Sequence, residues 1–241
     1  MKKLFNFKLK EFKVYTLPIF LFIILTYSTY FIFDLETIHR LGYLQEDGFF
    51  ECLTAFGFLG AFIFFLRSYL TNKNLFFLLL SIGMFLGLGE ELAWGQRIFG
   101  FRTPESISTI NVQGEFTLHN IEFFNTVNFD GSAKTGLSKL HTANYFFNVC
   151  WFSFGILFPM AYSFFPFVAR LTQKLRLPVP PLEIGLLFLI NLYIIKLIKI
   201  AHPQHADVLS YNEVYECNAS LIFLVLALYF FKQAKAPTAS L

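Results

Sequence analysis

Residues 14–33 form an apolar run without one charged side chain. A helix of about 20 such residues crosses the hydrocarbon of a bilayer, because a helix satisfies its own backbone hydrogen bonds where there is no water. Five further runs of this kind are expected, at about 48–66, 75–94, 143–165, 182–201 and 218–231. The last is short, and its helix is expected to start earlier, toward Asp207. No small-x-small cleavage pattern follows the first run, so it reads as a true span and not as a secretory signal. The expected fold is all-α: a polytopic membrane bundle of about six transmembrane helices, with residues 1–241 as a single transmembrane domain.

Composition narrows the classes further. Apolar residues make up 56% of the chain and charged ones 15%, with 35 phenylalanines. A soluble domain carries about 25% charged residues and could not hide this much apolar surface from water. The net charge of +3 comes without a basic cluster among polar recognition residues, which argues against nucleic acid as a partner. The lipid bilayer is the expected partner. Cys52, Cys150 and Cys217 show no C-x-x-C spacing. They read as small buried thiols, with a Cys52–Cys217 disulfide as the alternative.

The basic residues divide by loop. Lys2, Lys3, Lys8, Lys10 and Lys13 precede the first span, Arg67 and Lys73 follow the second, and Arg170, Lys174 and Arg176 follow the fourth. Lys232 and Lys235 close the last. Since positive loops stay in the cytoplasm, both termini are expected there, in a bacterial cytoplasmic membrane. Every acidic residue except Glu11 and Glu183 then falls on or near the opposite, extracytoplasmic side, as do all five histidines. That asymmetry places any chemistry at the outer face.

The outer loop at about 95–141 is too long for a simple connector. Within it, Phe116–Val127 alternates apolar residues with His119, Asn120, Glu122 and Asn125, and is expected to form an amphipathic helix. Asp130-Gly131-Ser132 reads as a turn.

The sharpest local signal is Gly89-Glu90-Glu91-Leu92-Ala93-Trp94-Gly95-Gln96-Arg97 at the outer end of the third span. Carboxylates at the edge of an apolar helix need pairing, hydration or a cation. Gly83 and Gly87 form a small-xxx-small face in register with Glu90, so Glu90 is expected to point inward, with Glu91 turned about 100° away. The bland alternative is interface solvation with Trp94 in an aromatic belt. Glu51 shares a face with Asp47 at the start of the second span. His202 and His205 flank Pro203-Gln204 after the fifth span; with a carboxylate they suit a divalent metal such as zinc, and His119 is a candidate third ligand or general base. Lys196 and Lys199 near the outer end of the fifth span either snorkel or pair with an acidic group.

The run Gly89 to Phe101, together with Asn111-Val112-Gln113-Gly114-Glu115 and Leu118-His119-Asn120, resembles a pattern in uncharacterised bacterial polytopic membrane proteins. That resemblance covers about a seventh of the chain and implies no established activity. A weaker likeness is to alkaline ceramidase-like membrane hydrolases, which hold zinc with histidines and an aspartate in a seven-helix bundle. Here His202 and His205 stand one residue closer than that family's His-x-x-x-His, and the span count is lower.

Taken together, the expectation is an enzyme, a hydrolase or transferase acting on a lipid or lipid-linked substrate at the outer leaflet. Glu90, Glu91 and His119 are its catalytic candidates. Arg97, Gln96, Trp94, Asn120 and Lys196 are expected to bind substrate, and His119, His202, His205 and Glu51 to hold a metal. Two alternatives stay open: an ion- or proton-coupled transporter, whose mark is a polar route through both faces, and an assembly protein that binds a partner through the outer loop.

Overall fold

The computed structural model describes residues 9–34, 36–37, 48–201 and 211–235. Among these, the elements are helices, turns and two isolated bridges. The main helices are α1 (Leu9–Ile32), α2 (Phe49–Asn72), α3 (Leu75–Glu91), α4 (Ala143–Phe164), α5 (Pro166–Lys174), α6 (Leu182–Ala201) and α7 (Tyr211–Lys235). Five of them, α1, α2, α4, α6 and α7, are long and apolar enough to cross a membrane. Helix α3 is apolar but has 17 residues, ending before the expected boundary because the chain reverses through positive φ at Ala93, Trp94 and Gly95.

Helix α7 is the centre of the bundle. In its apolar window 72% of residues are buried, against at most 39% in the other four spanning helices. It extends further toward its N-terminus than the expected 218–231 span, as the notion of an earlier start anticipated. Small residues let its neighbours come close, as van der Waals packing between membrane helices requires. A methyl group added at Gly57 of α2 would collide with Ser220 of α7, and one at Gly60 would meet Leu224 at 2.7 Å. Helices α4 and α6 touch backbone to backbone at Gly155 and Gly185, beside a π-helical turn over Ser153–Leu157. The expected Gly83/Gly87 seam is corrected on one side. Gly87 lies against the Phe58 ring, but Gly83 has open space beside it, because α3 buries the face of Phe77, Ser81 and Met84.

Inside the bundle several polar side chains are matched to one another or to backbone. Tyr27 donates to Asn191 Oδ1 at 2.6 Å, and Asn191 Nδ2 donates to the Tyr215 carbonyl at 2.9 Å. Asn218 Nδ2 donates to Thr26 Oγ1 at 3.1 Å. These bonds tie α1 and α6 to α7. At the end remote from Glu90, Asn74 caps α3 by accepting from Phe76 N, and its amide donates to the Arg176 carbonyl. The basic turns around Lys73 and Arg176 therefore share one end of the molecule.

The segment after α3 folds on itself. The expected helix over Phe116–Val127 does not form; turns and the bridges Asn111↔Ile121 and Val127↔Ala133 replace it. Asparagine side chains compete there for the backbone groups a helix would use. Asn111 accepts from Gln113 N at 2.9 Å and donates to the Thr117 carbonyl at 2.9 Å. The buried Lys134 ammonium donates to the carbonyls of Glu122 and Phe123. The Asp130-Gly131-Ser132 turn is present, with φ +78° at Gly131 and Ser132 N donating to Asp130 Oδ1 at 2.9 Å. All three cysteines are free: Cys217 is the buried thiol of the expected reading, whereas Cys52 and Cys150 are exposed, and no Cys52–Cys217 disulfide joins them.

Candidate functional site

At the end of the bundle where α3 stops, the folded segment covers a cavity of about 440 Å³. Its walls come from Phe58 of α2, the last turn of α3, Val112 to Val127, and the first turns of α4 and α7. A volume in this range suits a small ligand.

Glu90 is the fixed point. Oε1 accepts from Trp94 Nε1 at 2.6 Å. Oε2 accepts from the backbone N–H groups of Leu118 at 2.8 Å and His119 at 2.9 Å, and lies 2.9 Å from His119 Nδ1. Local sequence explains the geometry. The chain turns back at Ala93 and Trp94, and Gly89 leaves room for the Trp94 ring, since a Cβ there would sit 2.9 Å from it. The indole thereby reaches Glu90 one turn below.

His119 lines the cavity with its side chain 44% exposed, and its Nε2 has no hydrogen-bond partner among the described residues. Burial disfavours the imidazolium. The Glu90 hydrogen bond and the charges of Glu216, Glu90 and Glu115 outweigh that penalty and hold the His119 pKa above the ordinary histidine value.

Two residues not singled out from sequence complete the acidic wall. Glu213 and Glu216, one turn apart at the start of α7, both line the cavity. Glu51, in the first turn of α2, and Lys199, near the end of α6, bring opposite charges close to Glu216. The signal was present in Glu213-x-x-Glu216, a carboxylate pair at helical spacing just ahead of an apolar run.

The remaining candidates divide. Glu91 lines the cavity beside Glu90: both sit in the last turn of α3, where the cavity wraps its end. Asn120 is buried in the wall, donating to Gln113 Oε1 and accepting from Asn125 Nδ2 at 3.1 Å. Gln96 braces the loop instead, donating to Thr103 Oγ1 at 2.8 Å and accepting from Phe116 N at 2.8 Å. Trp94 acts through Glu90. Lys196 is exposed and away from the lining, whereas Lys199 donates to Asn212 Oδ1 at 3.1 Å. His202, His205 and the Arg97 side chain lie outside the described residues. Among the described residues no three His, Cys, Asp or Glu side chains are grouped to hold a metal ion.

Comparison with family models, with curated proteins and with solved structures finds no match.

Proposed function

We propose that the chain is a membrane-embedded enzyme, a hydrolase or transferase acting on a lipid or lipid-linked substrate at the extracytoplasmic face. The observation that carries this reading is the Glu90–His119 pair, 2.9 Å apart on the wall of a cavity at one end of an apolar bundle. With Nδ1 held by the carboxylate, His119 works through Nε2, taking a proton from a hydroxyl or water and returning it to the leaving group. Glu90 already accepts four hydrogen bonds, so its role is to orient the imidazole and stabilise its cation. Helix α3, at the short end of the spanning range, is the sixth span in this reading. The basic turns at Lys73 and Arg176 then face the cytoplasm of a bacterial cell together with both termini.

The transporter alternative needs a polar route to the other face. The cavity walls come from one end of the bundle, which favours chemistry over passage. A metal-assisted version is favoured by one feature: a carboxylate on Nδ1 is how metal-ligating imidazoles are commonly steadied, and it leaves Nε2 open. In that version His202, His205 and His119 hold zinc. Near-stoichiometric zinc that disappears from a His202→Ala/His205→Ala double variant is the result it requires.

The main test uses the full chain in liposomes of bacterial lipid extract, with headgroup release or exchange followed by mass spectrometry. His119→Ala is expected to lower turnover about 10²–10⁴-fold with folding intact. Equal product from His119→Ala and the parent protein would defeat the reading.

A further inference from the structure

We infer that the group recognised in this cavity is a polyhydroxylated headgroup, a sugar or similar polyol, and not a phosphate or an amine. The inference rests on the cavity being a substrate site and names the substrate class.

The lining carries both halves of the hydrogen-bonding alphabet. As an acceptor it presents the Glu216 carboxyl group. As donors it presents amides whose oxygens are already used while their N–H groups are not. Gln113 Oε1 accepts from Asn120, Asn144 Oδ1 accepts from Asn148 Nδ2 at 2.8 Å, and Asn212 Oδ1 accepts from Lys199. Among the described residues, the NH₂ groups of Gln113, Asn144 and Asn212 have no acceptor.

Each ligand class meets this wall differently. A phosphate offers acceptors only; it would face the carboxylates with no lysine or arginine among the described lining residues, and Lys199, close to Glu216, already donates to Asn212. An ammonium offers donors only and leaves the amide NH₂ groups unmatched. A hydroxyl donates one hydrogen bond and accepts others, so neighbouring hydroxyls can bridge an amide and a carboxylate at once. Phe58, Phe124 and Phe147 supply apolar wall against which the C–H face of a ring loses water. The Glu90–His119 pair then stands beside a ligand whose hydroxyls are the protons it can move.

The test measures binding, so that it is independent of turnover. The full chain is purified in a polyoxyethylene detergent, because maltoside detergents carry the proposed ligand class. Its thermal stability is read against a monohexosyl diacylglycerol, phosphatidic acid and phosphatidylethanolamine of matched acyl chains, and against free methyl glucoside. Stabilisation by the hexosyl lipid well above the other two lipids is expected. Stabilisation by methyl glucoside as well would mean that the sugar suffices; its absence would mean that the lipid anchor is needed. Equal or larger stabilisation by phosphatidic acid or phosphatidylethanolamine would overturn the inference.

Two variants sharpen the result. Asn144→Asp keeps the oxygen that Asn148 uses and removes the donor; it is expected to weaken hexosyl-lipid binding about tenfold. Glu216→Gln keeps an acceptor and is expected to change that binding by less than about threefold, whereas an ammonium ligand would lose far more. Binding that persists in His119→Ala while no turnover is found in any lipid would leave this inference standing and remove the enzymatic reading. Turnover without a preference for the hexosyl lipid would do the reverse.

Discussion

Two polar clusters meet at α7, and they differ in how completely they are satisfied. Deep in the bundle, Thr26, Tyr27, Asn191 and Asn218 hydrogen-bond to one another or to backbone, and each is buried. At the end of the same helix, Glu216 and the amides of Gln113, Asn144 and Asn212 face a cavity with bonding capacity to spare. The first cluster consumes its polarity to fix helix against helix. The second leaves it open to the cavity. The same residue types, amide and hydroxyl or amide and carboxylate, thus join helices in one place and line a cavity in the other, and the difference is whether a neighbour completes them.

The comparison breaks most visibly at Asn191. Asn191→Leu removes the side chain that accepts from the Tyr27 hydroxyl and donates to the Tyr215 carbonyl, and leaves Tyr27 only its longer bond to the Asn191 backbone carbonyl at 3.3 Å. A loss of about 2 kcal/mol is expected, near the upper end for interhelical bonds in membranes because two of them are lost at once. Denaturation in mixed micelles checks it. Undiminished stability would mean that the inner network is not structural.

At the cavity the expected effect is on function and on its pH dependence. With its pKa held above the ordinary value of about 6.5, His119 is protonated at mildly acidic pH and becomes a competent base only as pH rises through the raised value. The pairing with Glu90 therefore contributes stability that is full below the unfolded-state pKa and fades as pH rises through the folded one. Glu90→Gln removes the carboxylate charge; the rising limb of the pH–rate profile is expected to move to lower pH, and amide exchange at Leu118 and His119 to quicken. A profile unmoved by Glu90→Gln would separate the two residues.

The smallest effect is expected at Tyr30, whose buried hydroxyl has no hydrogen-bond partner among the described residues, although its ring packs on Tyr211 at 5.2 Å. Tyr30→Phe keeps the ring and removes a desolvated hydroxyl, so stability should be unchanged or raised by up to about 1 kcal/mol. A clear loss would show that Tyr30 belongs with the satisfied inner cluster.

Much of this molecule is legible in its sequence. Long apolar runs determine helices, because a chain in lipid must satisfy its backbone internally. Five of the expected spans appear as helices of spanning length, and the Asp130-Gly131-Ser132 turn follows from glycine's freedom at positive φ. Glu90 and His119 were each marked by being polar where the surroundings are apolar.

Their meeting was not readable. They are 29 residues apart, and the contact exists because Ala93 and Trp94 reverse the chain and Asn111 ties its loop into turns where periodicity pointed to a helix. The placement of Glu213 and Glu216 against them depends on α7 running through the middle of the bundle, and one sequence carries no record of helix order. Periodicity reports which residues leave water along one element; which elements then face one another is decided by packing, through contacts such as Gly57 against Ser220 that involve both chains of atoms at once. The sequence by itself determined that the chain is built of membrane-length apolar helices with polar residues toward one end, and only the tertiary structure decided which of those polar residues share a cavity.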